Sequence, residues 1–502
     1  MYTFSKKLKT TALILMILGF VGIVYGFLSA PKTLEEAEKI VAEAHHGGHN
    51  AEAEKHDAHK VLTQKEEDEK STSEVKADST KAVNDSLVES TDSTKTAVTP
   101  IAEHNDHDAH SSEVSKESEV DAAKEHKDHV EHVFHQLQNK PWSALYVACI
   151  FFMLISLGAL AFYAIQQVAQ AGWSPVLFRV MQGITAYLPV GSVIFFILLI
   201  VTGTHMFHSN NLFTWMAEGV TTKGSPNYDE MIDGKSGYLN FAFWISRAAI
   251  FLLGWNLYRY FSRKNCLAQD EASDNTFYKK NFKMSAAFLV FFIVSESIMS
   301  WDWLMSFDPH WFSTLFGWYV FASFFVSGIT TISMVTLYLK SKGYLENVNS
   351  SHIHDLSKFM FGISVFWTYL WFSQFMLIWY ANIPEEVTYF KTRIDIYTVP
   401  FWGAVVMNFI FPILVLINTD FKRIAPIIVG AGVVILCGHY VDFFNMVMPA
   451  TVGDQWFIGI PEIASVLFFL GLFIFVVFTA LTKAPLTPKR NPFIEESKHF
   501  HY

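Results

Sequence analysis

The sequence predicts an all-α polytopic membrane protein, and three observations carry that prediction. Hydrophobic residues make up 51% of the 502-residue chain and aromatics 16%, with 47 Phe. Charged residues reach only 17%, against roughly 25% in a typical soluble protein. Ten apolar runs, 11–29, 142–168, 182–204, 237–261, 284–306, 311–339, 356–382, 398–418, 424–448 and 461–482, approach or exceed the length that crosses a ~30 Å hydrocarbon core. Water cannot solvate that much Phe, Trp and Leu, so lipid is the expected solvent.

The first run follows Lys6, Lys7 and Lys9 and ends in Leu28-Ser29-Ala30, the outline of a signal peptide. Pro31 directly after the candidate cleavage site, and the apolar length, favour an uncleaved membrane anchor over residues 1–30. Residues 31–140 differ from everything else. They hold 26 acidic and 13 basic residues, whereas the remainder holds 21 and 24, so the net charge of −10 resides in this segment. Its Glu, Lys, Ser, Thr, Ala and His cannot bury enough apolar surface to offset chain entropy, and a disordered loop with some helix at its start is expected. Nothing in the charge pattern points to nucleic acid.

Residues 141–483 form the membrane domain and 484–502 a short tail. Lysine and arginine cluster in alternate connections: Arg263, Lys264, Lys279, Lys280 and Lys283 after the fourth run, Lys340 and Lys342 after the sixth, Lys422 and Arg423 after the eighth, Lys483, Lys489 and Arg490 after the tenth. The intervening loops are poor in them. By the positive-inside rule both termini are cytoplasmic and residues 31–140 extracytoplasmic, which in a bacterial inner membrane is periplasmic.

Three cysteines, Cys149, Cys266 and Cys437, exclude a disulfide framework, a four-cysteine zinc site and any four-cysteine iron–sulfur cluster within the chain. There is no C-x-x-C-H, P-loop, nucleophile elbow or H-E-x-x-H. The acidic segment holds 12 of the 20 histidines, with His104, His107 and His110 in one i, i+3 series and His126, His129, His132 and His135 in another. A solvated polar tract explains them as well as a shared metal does. His205 and His208 lack identifiable haem-ligand partners.

Ionisable groups inside spans are costly and mark pathways or buried pairs. Arg247 lies in the fourth span, Glu296 near the middle of the fifth and Asp302 toward its far end. His439 and Asp442 share a face of the ninth, with Asn445 continuing the stripe. Gln374, Asn382 and Asn408 add uncharged polarity. Arg247 is expected to pair with a carboxylate such as Glu296. Glu462, after Pro461, suits a helix N-terminus, and Asp308-Pro309-His310 suits a turn. These five charged or titratable positions, Arg247, Glu296, Asp302, His439 and Asp442, are the candidate lining of a pathway within the membrane.

The stretch Ser295-Glu296-Ser297-Ile298-Met299-Ser300-Trp301-Asp302-Trp303-Leu304-Met305-Ser306, running on through Asp308-Pro309-His310-Trp311 to Trp318-Tyr319, resembles the second quinone-binding (F) subunit of alternative complex III, within the wider NrfD-like, polysulfide-reductase membrane-subunit family. Lys391-Thr392-Arg393 and the segment from Pro449 to Pro461 are similar to the same family. The resemblance covers roughly 140–490 and leaves the His-rich segment unexplained. It implies two four-helix bundles, spans 2–5 and 6–9, flanked by spans 1 and 10. It implies a quinol:cytochrome c (or high-potential acceptor) oxidoreductase in which quinol, menaquinol or ubiquinol, gives electrons to iron–sulfur and haem c groups of partner subunits. The partners implied are a sister quinone-binding membrane subunit, a periplasmic iron–sulfur subunit, c-type cytochrome subunits, small membrane anchors and, in some assemblies, a terminal oxidase. No redox cofactor is expected in this chain. A secondary transporter and a catalytically silent scaffold stand as the alternatives from other classes.

Overall fold

The computed structural model describes residues 2–42, 110–204, 206 and 212–501, with side chains from Lys124 onward in the second of these stretches, Glu125 excepted. His104, His107, His205, His208 and the side chain of His110 lie outside the described residues. Ten helices are long and apolar enough to cross a membrane, as the sequence predicts: Lys6–Ser29, His126–Val168, Pro175–Gly203, Phe241–Gln269, Thr276–Phe307, Phe316–Ser341, Ser350–Ala381, Thr398–Leu416, Ala425–Thr451 and Ile460–Leu481. They are spans 1 to 10 below. Among the described residues there is no strand.

The chain divides into two units, Met1–Ala30 with His135–Tyr502, and Pro31–Phe134. In the second unit, residues 34–42 are helical. Where the sequence predicts a disordered loop over 31–140 with some helix at its start, a helix also runs continuously from His110 to Val168. The Glu, Lys and Ala that deny this segment a core are good helix formers, and a helix already nucleated by span 2 extends at low cost.

In the membrane unit, spans 6, 7, 8 and 9 pack on one another as a four-helix bundle, and spans 3, 4 and 5 pack in sequence beside span 2. The most apolar stretches of spans 2 and 6 are 94% and 89% buried, so these two have almost no lipid face. They cross through glycines: a Cβ at Gly328 would stand 2.6 Å from the Ala159 nitrogen. Close backbone approach through small residues is what packs helices where lipid supplies no hydrophobic drive. Span 1 lies along span 10, where Gly19 meets the Ala464 carbonyl and the Phe468 backbone. Its other face, including Ile17, Phe20 and Leu28, is exposed.

Two spans are interrupted, and proline explains both. Span 3 breaks into Phe178–Ile184 and Tyr187–Gly203, where Pro189 has no N–H for the Thr185 carbonyl. Span 8 carries a π-turn over Val406–Ile410, and Pro412 likewise cannot donate to the Asn408 carbonyl. Between spans 7 and 8 the chain folds into a further helix, Pro384–Asp395. Glu462 accepts from the Gly459 N–H at 2.8 Å and so caps span 10.

Candidate functional site

The ninth span enters the second bundle with His439 and Asp442 three residues apart, both nearly inaccessible. Their partners come from spans 6 and 7. Asp442 accepts hydrogen bonds from the Tyr319 hydroxyl, from Ser323 Oγ at 2.8 Å and from the Trp367 indole at 2.9 Å. Tyr319 and Ser323 are four residues apart, so one face of span 6 presents both. His439 Nδ1 lies 2.9 Å from the same Ser323 Oγ and 3.8 Å from Asp442 Oδ2. A hydroxyl has one proton to give. With Ser323 donating to Asp442, Nδ1 donates to Ser323, and Nε2 of the neutral ring becomes the acceptor. That Nε2 is buried and has no hydrogen-bond partner among the described residues.

Beside this network runs a narrow cleft lined by Tyr319, Asp442, Gln374, Asn445, Trp371 and Arg393, among others. It has room for about one water molecule. Arg393 comes from the Pro384–Asp395 helix and is buried. Its guanidinium stacks 3.3 Å from the Tyr389 ring centre and donates to the Tyr389 and Asn445 carbonyls at 2.7 and 3.0 Å. No carboxylate lies within ion-pair distance of it among the described residues. Gln374 Oε1 and Asn445 Oδ1 are buried without donors among the described residues. Asn408, in the π-turn, meets Gly438, the residue before His439, and neither of its amide atoms has a partner among the described residues.

The first bundle holds a different arrangement. Arg247 ties two helices together through a carboxylate, as the sequence suggested, but the partner is Asp302 and not Glu296, with Nε to Oδ2 at 2.7 Å and Nη2 to Oδ1 at 2.8 Å. The reason is depth. Spans 4 and 5 run antiparallel, so Arg247, near the start of span 4, faces the end of span 5 where Asp302 sits, and Glu296 lies nearly two turns away. The Trp244 indole donates to the Asp302 carbonyl at 2.8 Å, and Tyr238 and Phe243 cover the guanidinium. Glu296 accepts from Ser297 at 2.8 Å, while its other oxygen is buried without a donor among the described residues.

The five residues expected to line one wall are therefore divided. His439 and Asp442 belong to one network, Arg247 and Asp302 to another, and Glu296 to neither. No hydrogen bond, ion pair or shared cavity joins them among the described residues. Nor is any group of three or more His, Cys, Asp or Glu placed to hold a metal ion among these residues.

Sequence reasoning missed the donors that define the Asp442 site. Tyr319, Ser323 and Trp367 carry no charge and read as ordinary span residues. The faint signal was the Ser/Thr stripe of span 6, Ser323, Ser327 and Thr331, at helical spacing. Arg393 stands out in the sequence only within Lys391-Thr392-Arg393, with nothing to place it beside Asp442. A second polar centre was also missed: the Tyr163 hydroxyl meets Gln167, Gln182, Asn281 and Ser262 at 3.0–3.3 Å, close to the Arg179–Asp270 ion pair at 2.6 Å. Comparison with protein-family models and with curated proteins finds no match.

Proposed function

We propose that the chain is an integral membrane subunit of a respiratory quinol:cytochrome c (or high-potential acceptor) oxidoreductase, and that its part is proton handling at His439 and Asp442. The observation that carries this reading is the His439–Ser323–Asp442 relay. A buried imidazole nitrogen with an open lone pair connects through one hydroxyl to a carboxylate, and the carboxylate borders a cleft of water size facing Arg393. Quinol oxidation releases two protons that need a base and a path, and histidine is the side chain suited to exchange them near neutrality. The cleft is too small for a quinone ring with these side-chain positions, so the network favours the proton branch over a quinone site. The Glu296-to-Tyr319 resemblance supports the assignment to this class of complex. Electrons then pass through haem c and iron–sulfur groups of the partner subunits, in a bacterial inner membrane with both termini of this chain cytoplasmic.

The test replaces His439 by Leu and, separately, Asp442 by Asn in the assembled complex. Quinol oxidation or its coupled proton release falls by about a hundredfold, the scale of a lost general base, while the haem spectrum of the purified complex is unchanged. Normal turnover with normal proton stoichiometry in both variants refutes the assignment. Purification without any haem or iron–sulfur partner refutes the complex itself.

A further inference from the structure

At the end of the first bundle that is poor in lysine, the loop leading into span 4 and the connection from span 5 to span 6 enclose a second cavity, of about 410 Å3. That is in the size range of small-molecule sites. Its walls are mostly apolar and aromatic: Tyr238, Leu239, Trp301, Met305, Trp311 and Phe312. Two opposite charges share this lining, Lys235 and Asp308. They are not an ion pair; no carboxylate lies within 4.0 Å of Lys235 among the described residues. Lys235 donates to the Pro309 carbonyl and stands 5.7 Å over the Phe312 ring. Burial holds its ammonium below the ordinary lysine range, against the pull of Asp308. Trp311 is 3% exposed, and its indole N–H finds no acceptor among the described residues; nor does that of Trp301.

We propose that this cavity binds the head of one zwitterionic phospholipid with a primary ammonium, a phosphatidylethanolamine, its phosphate toward Lys235 and the indole N–H donors and its ammonium toward Asp308. The apolar lining demands an amphiphile. The separated opposite charges demand a head carrying both signs, since an anion alone is repelled by Asp308 and a cation alone by Lys235. The donors without acceptors match phosphate oxygens. A quaternary choline head has no N–H to give the carboxylate, so ethanolamine is preferred. Phe312, 58% exposed at the rim, is positioned for the glycerol and the start of the acyl chains. Trp311 stacks on Tyr389 with 3.9 Å between ring centres, so the pocket abuts the cleft beside the relay, while Lys235 and Asp308 do not line that cleft.

The experiment is native mass spectrometry of the full chain, in its complex, titrated with phosphatidylethanolamine, phosphatidylcholine and phosphatidylglycerol of matched acyl chains. The wild type retains about one phosphatidylethanolamine and holds it roughly tenfold more tightly than the other two, the scale of one charged contact. Asp308→Asn removes that preference and brings the other two level with it; Lys235→Gln weakens all three phospholipids about tenfold. Equal retention of the three lipids by the wild type overturns the proposal, and needs no variant that must fold. So does preferential retention of phosphatidylglycerol or of an added quinone.

Discussion

Arg247 and Asp302 face each other across spans 4 and 5 as a two-point pair, 2.7 and 2.8 Å, with the carboxylate fully inaccessible. The guanidinium also donates twice to the Tyr238 carbonyl at 3.2 Å. A fork of donors matched to a carboxylate is specific to arginine. Removing either partner leaves a buried charge unpaired, at about 3–5 kcal/mol. Arg247→Met and Asp302→Leu are therefore each expected to lower stability strongly, and the two together to recover more than half of the loss. A double-mutant cycle on melting in detergent measures it. Additive losses show that the pair is not coupled.

At Gly328 and Gly158 the backbones of spans 2 and 6 leave no room for a side chain. Gly328→Val places a side chain against the backbone of Gly158 and Ala159. Overpacking of this kind costs about 1–3 kcal/mol. The expected result is earlier melting with helical content retained at low temperature, by circular dichroism. Valine at Gly362, where a Cβ meets nothing within 4 Å, is the control and is expected to melt as the wild type.

Arg393 holds the Pro384–Asp395 helix against span 9 through the Tyr389 and Asn445 carbonyls. Lysine keeps the charge but cannot stack on Tyr389 while bridging both carbonyls. Arg393→Lys is expected to behave like Arg393→Met, each destabilising by about 1–3 kcal/mol, because the Asn445 carbonyl, which Pro449 leaves without a helical N–H, loses its donor. Full rescue by lysine, in melting and in turnover of the complex, shows that only the charge matters.

Asp229 caps the short helix Glu230–Lys235 through the Met231 and Ile232 N–H groups, and His310 meets its other oxygen at 2.6 Å. The Ile232 N–H, against some desolvation and aided by His310, holds its carboxyl below the usual value. A depressed carboxyl stabilises above its unfolded pKa of about 3.9 and loses that stabilisation as pH falls through the folded value. Amide exchange in 230–235, corrected for intrinsic rate, is expected to show protection at neutral pH that fades in acid below about pH 4. Asp229→Ala, at a cost near 1 kcal/mol, is expected to lack that protection at every pH. Protection independent of both places the stability of this loop elsewhere.

The spans themselves were legible without a structure, because crossing lipid needs a long apolar run and all ten runs announce themselves by length. Glu462 as a cap was equally legible, since a cap is a contact between residues three apart. The unbroken helix from His110 was not, because low hydrophobicity signals the absence of a core and says nothing about helix already nucleated next door. The residues of the candidate sites could be named, as charges in lipid are few. Their pairing could not. Whether Arg247 meets Glu296 or Asp302, and whether His439 and Asp442 belong with Asp302 or with Tyr319, Ser323 and Trp367, depends on the depth and rotation of neighbouring helices. Those follow from glycine crossings such as Gly158 with Gly328 and from proline-induced breaks at Pro189 and Pro412, contacts between residues far apart in the chain that only packing in three dimensions resolves.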